Sequence, residues 1–356
     1  MIGLALLAEV ALLALLAACS TPPVQVHAQR PFPDKLSAWN LFVGDMSVLK
    51  PNEGVVPYGL NSPLFTDYAD KLRTVYVPPG QPAAYDPAAP FDFPVGSVLT
   101  KTFAYGALAP GAVGEGTRLV ETRLLVHTAE GWVGLPYVWD ADRKDATLTL
   151  AGATIPMTIP TPAGPRQIAY GVPNANQCKG CHESHGRTMS PIGPTARNLN
   201  RDDPYAEGSQ LARWVALGLL TGAPEAAAAP RAAAWDDPAS GSVDARARAY
   251  LDVHCAHCHN PDGPGNTSGL LLGADVAEPR LLGRCKAPVA AGKASGGLRY
   301  DVVPGDPDAS ILVHRMASAE PDVMMPELGR SLVHEEGVAL IRAWVAEMEG
   351  GCAAQP

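Results

Sequence analysis

Hydrophobic and polar positions along the chain change rhythm near residue 170. From about 36 to 170 apolar residues alternate with polar ones at the period of strands. Over 118–127, Leu119, Leu124 and Val126 are interleaved with Glu121, Thr122 and Arg123. Ala129-Glu130-Gly131 can turn, and 132–139 returns with Val133, Leu135, Tyr137 and Val138. The pattern predicts a hairpin. A third strand-like stretch over 146–159 follows the polar turn 140–145, so an antiparallel sheet or sandwich is the economical arrangement. Beyond Pro173 the pattern becomes one of short helices and long loops. Helices are expected over 211–220, which carries Trp214, and over 243–254, with an Ala- and Pro-rich linker at 223–234. Near the end, Ser331 is placed to cap a helix with Glu335 and Glu336 in its first turn. Val338, Leu340, Ile341, Trp344, Val345 and Met348 form its apolar side.

The first residues carry a different signal. Positions 2–18 are uncharged except for Glu9 and end in Leu16-Ala17-Ala18-Cys19, which reads as an export signal and resembles a bacterial lipobox with Cys19 as the lipidated residue. A plain secretory peptide or an uncleaved anchor is the alternative. Either way the folded part is expected outside the cytoplasm, in the periplasm, lipid-anchored to the outer membrane. The Pro-rich segment 19–35 would serve as tether. The resulting division is 1–18 signal peptide, 19–35 tether, 36–170 β-rich domain, 171–235 first haem domain and 236–356 second haem domain. The haem assignments follow from the cysteines below.

Composition narrows the classes. The 356 residues hold 27 Lys+Arg against 36 Asp+Glu, a net charge of −9 that gives no basic excess for nucleic acid. With 35 Gly and 35 Pro, about a fifth of the chain favours turns over long helices, which excludes a coiled coil. Seven cysteines stand at 19, 178, 181, 255, 258, 285 and 352. Four of them form Cys178-Lys179-Gly180-Cys181-His182 and Cys255-Ala256-His257-Cys258-His259. Cysteines at i and i+3 lie on one side of a helical turn and can form thioethers with two porphyrin vinyl groups, while histidine at i+4 reaches the iron. With this many Cys and His, roughly 0.003 such matches are expected by chance. Two covalently attached haem c groups are therefore expected, with Cys178, Cys181, Cys255 and Cys258 as attachment points and His182 and His259 as axial ligands. A structural zinc site or two dithiol pairs are the bland alternatives. Cys285 and Cys352 remain as an even pair, which in an oxidising compartment points to a disulfide, the alternative being two unpaired thiols.

From about 240 onwards the order of features is similar to that of class I cytochromes c. A helix with Tyr250 leads into Cys255-Ala256-His257-Cys258-His259. Val303-Pro304-Gly305-Asp306-Pro307, Ser310-Ile311-Leu312, Met325-Pro326 and a closing helix with Trp344 follow. The likeness implies His259 as proximal and Met325 as distal ligand, with Met324 as the neighbouring competitor. Gly193-Pro194 similarly resembles the Gly-Pro that follows attachment in such domains. The first haem's sixth ligand stays open among Met189, His185, Met157, Met316 and no ligand at all. Over 36–348 the chain resembles a family of bacterial diheme c-type cytochromes with an amino-terminal extension. The likeness rests on Tyr58-Gly59-Leu60-Asn61-Ser62-Pro63-Leu64-Phe65, Pro173-Asn174-Ala175-Asn176-Gln177-Cys178, Arg197-Asn198-Leu199-Asn200 and Met324-Met325-Pro326-Glu327-Leu328-Gly329-Arg330-Ser331. The expected fold class is α+β multidomain, an N-terminal antiparallel β-rich domain followed by two small, mostly α-helical cytochrome c-like haem domains.

Other chemistry-bearing residues read as ordinary. Asp140, Asp142 and Asp145 lack the Gly and terminal Glu of a calcium loop and fit a solvated turn. His254 and His257 could ligate a neighbouring haem but are expected to face solvent. His314 and His334 could hydrogen-bond a propionate or simply lie on the surface. The leading expectation is an envelope-anchored electron carrier that serves a redox partner protein. The alternative is a diheme peroxidase-like oxidoreductase with an open first haem, and a third reading makes the β-rich part a binding module.

Overall fold

The computed structural model describes residues 21–184, 188–289 and 291–352. The expected export signal, Cys19 and His185 lie outside the described residues. Strands form where β-branched and aromatic residues alternate with polar ones. In chain order they are β1 (Val55–Pro57), β2 (Asp70–Tyr76), β3 (Ala83–Ala84), β4 (Val98–Tyr105), β5 (Arg118–Thr128), β6 (Gly131–Trp139), β7 (Ala146–Leu148), β8 (Ala153–Ile159), β9 (Arg166–Val172), β10 (Glu183–Ser184), β11 (Thr188–Met189) and β12 (Leu220–Thr221). β1, β2, β4, β5, β6 and β7 make one antiparallel sheet in that order, with β5 and β6 as the expected hairpin. The third strand-like stretch splits: β7 completes the sheet, while β8 turns away at Gly152 to pair with β9.

The sheet buries both faces. On one, Leu72, Val98, Leu124, Leu135 and Tyr137 meet Leu36, Trp39, Leu41 and Leu49 of the amino-terminal segment. The Trp39 indole N–H donates to the Tyr137 hydroxyl at 2.8 Å, which donates to the Pro33 carbonyl at 2.8 Å. Part of the expected tether is folded here, with Phe32 buried and Gln25 bonded to the Trp39 carbonyl. On the other face, Val75 and Leu99 pack with Phe91, Phe93, Leu199, Leu211 and Trp214 at one end. Phe103 and Tyr105 pack with Met157, Ile168 and Tyr170 of the β8–β9 hairpin at the other. Between these two patches the sheet carries Arg73, Lys101 and Arg123.

The expected α+β multidomain layout, an N-terminal β-rich domain followed by two mostly helical haem domains, is corrected by this arrangement. The six-stranded antiparallel sheet dominates, and the described residues contain only six α-helices. They are α1 (Ala175–His182), α2 (Ala196–Leu199), α3 (Gln210–Ala216), α4 (Val243–His254), α5 (Ile311–Met316) and α6 (Glu335–Ala346). The physical reason is a shortage of apolar helix. α1 has no buried residue, and α2 and α3 are four and seven residues long. Segment 171–235 therefore completes the sheet's core instead of building one. Trp214, 0 % exposed, stands edge-on to Tyr58 at 5.5 Å, and β12 pairs in parallel with β3.

α4, α5 and α6 share a cluster of Tyr250, Leu251, Val313, Ile341 and Trp344. α6 begins at Glu335 with His334 as its cap residue, so Ser331 is not the cap. Ser331 is held elsewhere. The Asp67 carboxylate accepts from the Ser331 amide and hydroxyl and from the Leu332 amide, all within 3.0 Å, tying the helical cluster to the sheet.

Truncating Trp214 to Ala removes a buried indole with no room to collapse around it, so a loss of about 3–5 kcal/mol is expected. Denaturant unfolding of the full chain measures it. A loss under about 1 kcal/mol would show that α3 does not depend on the sheet.

Candidate functional site

Cys178, Cys181 and His182 of the first Cys-x-x-Cys-His turn line a cavity of about 1070 Å³ between the sheet, α1, the end of α4 and the segment 325–331. Of the second turn, Ala256 and His257 line it and Cys255, Cys258 and His259 do not. The first turn lies on α1, whose start is fixed by a reciprocal cap. Asn174 accepts from the Gln177 amide, and the Gln177 side chain accepts from the Asn174 amide. Cys178 then lies flat on β6. A side chain at Gly134 would set its first carbon 3.1 Å from Cys178 Cβ and 3.2 Å from Sγ, so glycine is what allows the approach. Burial raises the Cys178 and Cys181 thiols, against the pull of Arg123 on the first and Lys101 on the second.

The second turn follows α4 directly, with the Cys258 and His259 amides both bonded to the Cys255 carbonyl. Burial pushes the Cys255 and Cys258 thiols up to about 12. The two turns touch. Cys258 Sγ lies 3.7 Å from the Gly180 carbonyl oxygen, and Leu328 packs within reach of Gly180. All four thiols are unpaired, while Cys285 and Cys352 are joined in the expected disulfide.

The two histidines are oriented alike. His182 Nδ1 is 2.8 Å from the Ser190 carbonyl, which can only accept, so Nδ1 carries the proton and donates. His259 Nδ1 is 3.0 Å from Ser268 Oγ. That hydroxyl spends its own proton on the Gly265 carbonyl at 2.6 Å, so here too Nδ1 donates. In both rings Nε2 keeps its lone pair and has no hydrogen bond among the described residues. A ring with one nitrogen anchored to a backbone or hydroxyl acceptor and the other free is the arrangement of a metal-ligating histidine. Burial lowers both rings, His182 to about 4, so that both are neutral near pH 7.

Met325 lines the cavity and Met324 does not. The Met325 amide donates to the Arg315 carbonyl at 3.0 Å and its carbonyl accepts from Arg330 at 2.8 Å. Among the other methionines, Met157 is buried with Ile168 and Tyr170 away from the cavity, and Met316 lines it from the helical cluster. Met189 brings its methyl beside Cys178 at Gly134. Among the described residues no three His, Cys, Asp or Glu side chains converge on one ion position. A porphyrin brings four nitrogens of its own, so two thiols and one imidazole nitrogen per turn suit it where they would not suit a bare ion.

His254 and His257 do not face solvent as expected. His254 is buried: its Nδ1 donates to the Tyr250 carbonyl at 2.9 Å, and its Nε2 accepts from the Phe65 amide at 2.8 Å. His257 is half-buried and lines the cavity. His334 is buried too, bonded to the Tyr250 hydroxyl and stacked on Phe65. Sequence reasoning passed over Asp67, Arg73, Lys101, Arg123 and Gly134. In the sequence Arg123 is only a polar position of the predicted hairpin, and no local signal marks Arg73 or Lys101. Comparison with protein families, curated proteins and solved structures returned no match.

His254 generates a pH prediction. Burial pushes its ring down from 6.5 to about 3. Below pH 6.5 the unfolded chain takes up a proton that the folded chain refuses, so the stability held at neutral pH is lost as pH falls. From pH 7 to pH 5 this residue alone should cost about 2 kcal/mol. His254→Gln should lose about that much less over the same interval in denaturant titrations, and equal losses would rule the account out.

Proposed function

We propose that this protein is a c-type cytochrome that carries two covalently attached haem c groups and passes single electrons to or from a redox partner protein in the cell envelope. The observation that carries the reading is the pair of turns in contact, each with two unpaired thiols and one histidine whose Nε2 is free. When bound, haem iron supplies a one-electron couple at a potential tuned by its axial ligands and surroundings.

The chain's own residues have three tasks in this reading. The thiols of Cys178, Cys181, Cys255 and Cys258 hold the groups. The amino-terminal helical cap and Gly134 keep the first turn on the sheet. Ser190 and Ser268 fix the tautomers of His182 and His259, so that Nε2 meets the iron without a proton to lose. Met325, held at both its amide and its carbonyl, would be the methionine that offers a thioether to the second haem, as the likeness to class I cytochromes c implies. The acidic balance of the chain suits a weak, salt-sensitive encounter with a basic patch on the partner. No described helix is long and apolar enough to cross a membrane, so attachment to one rests on the proposed lipid at Cys19. No observation singles out the peroxidase-like alternative.

Expression in a host that matures c-type cytochromes tests the assignment. Mass spectrometry should find two haem additions, one on each Cys-x-x-Cys-His peptide, and loss of one addition in Cys178→Ala/Cys181→Ala. Absence of any added mass would sink the proposal. In the loaded protein, Met325→Ala should abolish the methionine-to-iron charge-transfer band of the ferric spectrum. An unchanged band would move the ligand away from this residue.

A further inference from the structure

The sheet's cavity-facing side contains a charge imbalance that the attachment chemistry leaves unexplained. Arg73, Lys101 and Arg123 are direct cross-strand neighbours on β2, β4 and β5, so their side chains leave the same face in a row. All three line the cavity together with Cys178, Cys181 and His182. Arg123 is neutralised by Glu121, with Nε to Oε2 at 2.9 Å and Nη2 to Oε1 at 2.5 Å, and it covers the Phe103 ring at 4.4 Å. Glu121 is further held by the Tyr170 hydroxyl at 2.6 Å, so its charge is spent within that pair.

Neither of the other two cations forms an ion pair among the described residues. Arg73 is 7 % exposed, and no hydrogen bond or ion pair engages its guanidinium among the described residues. Lys101 is half-buried, with its Nζ 5.1 Å from the Phe103 ring, and no hydrogen bond or ion pair engages it among the described residues. Lys71, next along the same face, is turned aside to the Ala69 carbonyl at 2.7 Å. A buried and a half-buried cation beside each other, with no ion-pair partner, are costly unless an anion joins them. The row therefore asks for two negative charges from outside the polypeptide. Planar carboxylates suit it, since a guanidinium binds them through two parallel N–H groups.

We propose that Arg73 and Lys101 receive the two propionate carboxylates of the porphyrin attached at Cys178 and Cys181, which makes the sheet the electrostatic wall of the first haem site. The inference rests on the haem reading above and adds a role for the β-rich part of the chain. Cations held beside the ring disfavour the more positive, oxidised iron, so the row raises the reduction potential of that haem. A free dicarboxylate from solution has the same chemistry and is the competing source.

The test uses the full-length, haem-loaded protein, with haem content read by mass so that failure of attachment is seen separately. Spectroelectrochemical titration of Lys101→Gln should lower the midpoint of one haem by about tenfold in the reduction equilibrium, or 59 mV for one electron. The other haem should stay in place. Lys101→Arg, which keeps the charge, should restore the midpoint. Arg73→Gln should act in the same direction as Lys101→Gln, and the exposed Lys144→Gln should do nothing. Unchanged midpoints in loaded Lys101→Gln and Arg73→Gln overturn the inference and leave the attachment reading standing. Calorimetry with succinate separates the two carboxylate sources. No binding to the loaded wild type agrees with a filled row. Saturable binding that disappears in Lys101→Gln assigns the row to a free dicarboxylate and overturns the propionate assignment.

Discussion

A seven-residue helix cannot bury an indole by itself, and the placement of Trp214 follows from that. α3 gives up its solvent face to the sheet, where Tyr58, Phe91 and Phe93 surround the ring. Gln210 secures the join by exchanging hydrogen bonds with the backbone of Gly59 and donating to the Leu199 carbonyl. The first Cys-x-x-Cys-His turn is kept over β6 by the close approach of Cys178 to Gly134. The second turn is drawn to the same place by independent ties, His254 to Phe65 and Asp67 to Ser331 and Leu332. Contact between the two turns is thus a consequence of burial elsewhere, with no strong bond between the motifs themselves.

The sheet, the hairpin and α4 were legible because each is written in local spacing. The domain layout was not, because it depends on which segment lacks a core. Counting helices in 171–235 predicts a small helical unit, whereas summing their buried side chains shows that α1 contributes none. The quoted phrases were more informative than their sequence context revealed. Asn61 donates to the carbonyls of Arg197 and Asn200, and the Ser62 amide donates to the Asn198 side chain, so two of the phrases are halves of one contact. The phrase over 324–331 also reaches the first cysteine turn, where Leu328 approaches Gly180. Residues such as Asn and Ser in a loop look interchangeable until their partners, more than a hundred positions away, are known.

His254 and His334 illustrate the same limit. Beside a cysteine motif or a helix start, a histidine reads as solvated because nothing local buries it. Here both are enclosed in a ring cluster with Phe65, Trp235 and Tyr250 that joins the sheet's loops to α4 and α6. The neutrality of His254 is structural, since its Nε2 accepts a hydrogen bond that a second proton would break. The histidines with a free Nε2, His182 and His259, are distinguished from them by one unused lone pair, a difference that spacing alone gives only through the motif.

Charge is sorted in the same way. The chain as a whole is acidic, yet the cavity-lining part of the sheet face holds the three cations Arg73, Lys101 and Arg123, with Glu121 as the carboxylate paired to Arg123. A net negative exterior and a positive interior act on different steps. The exterior governs which surfaces approach, over a distance set by screening of about 8 Å at physiological salt. The row is less screened because its side chains are buried or half-buried, so it acts on the energy of whatever charge changes inside the cavity. If the partner met the protein through the cavity mouth, a basic patch would face Arg73 and Lys101 with their charges uncompensated and be repelled. Carboxylates on the row remove that repulsion. In the proposed scheme the same two charges therefore complete the site and make its opening compatible with the basic partner that the acidic exterior attracts.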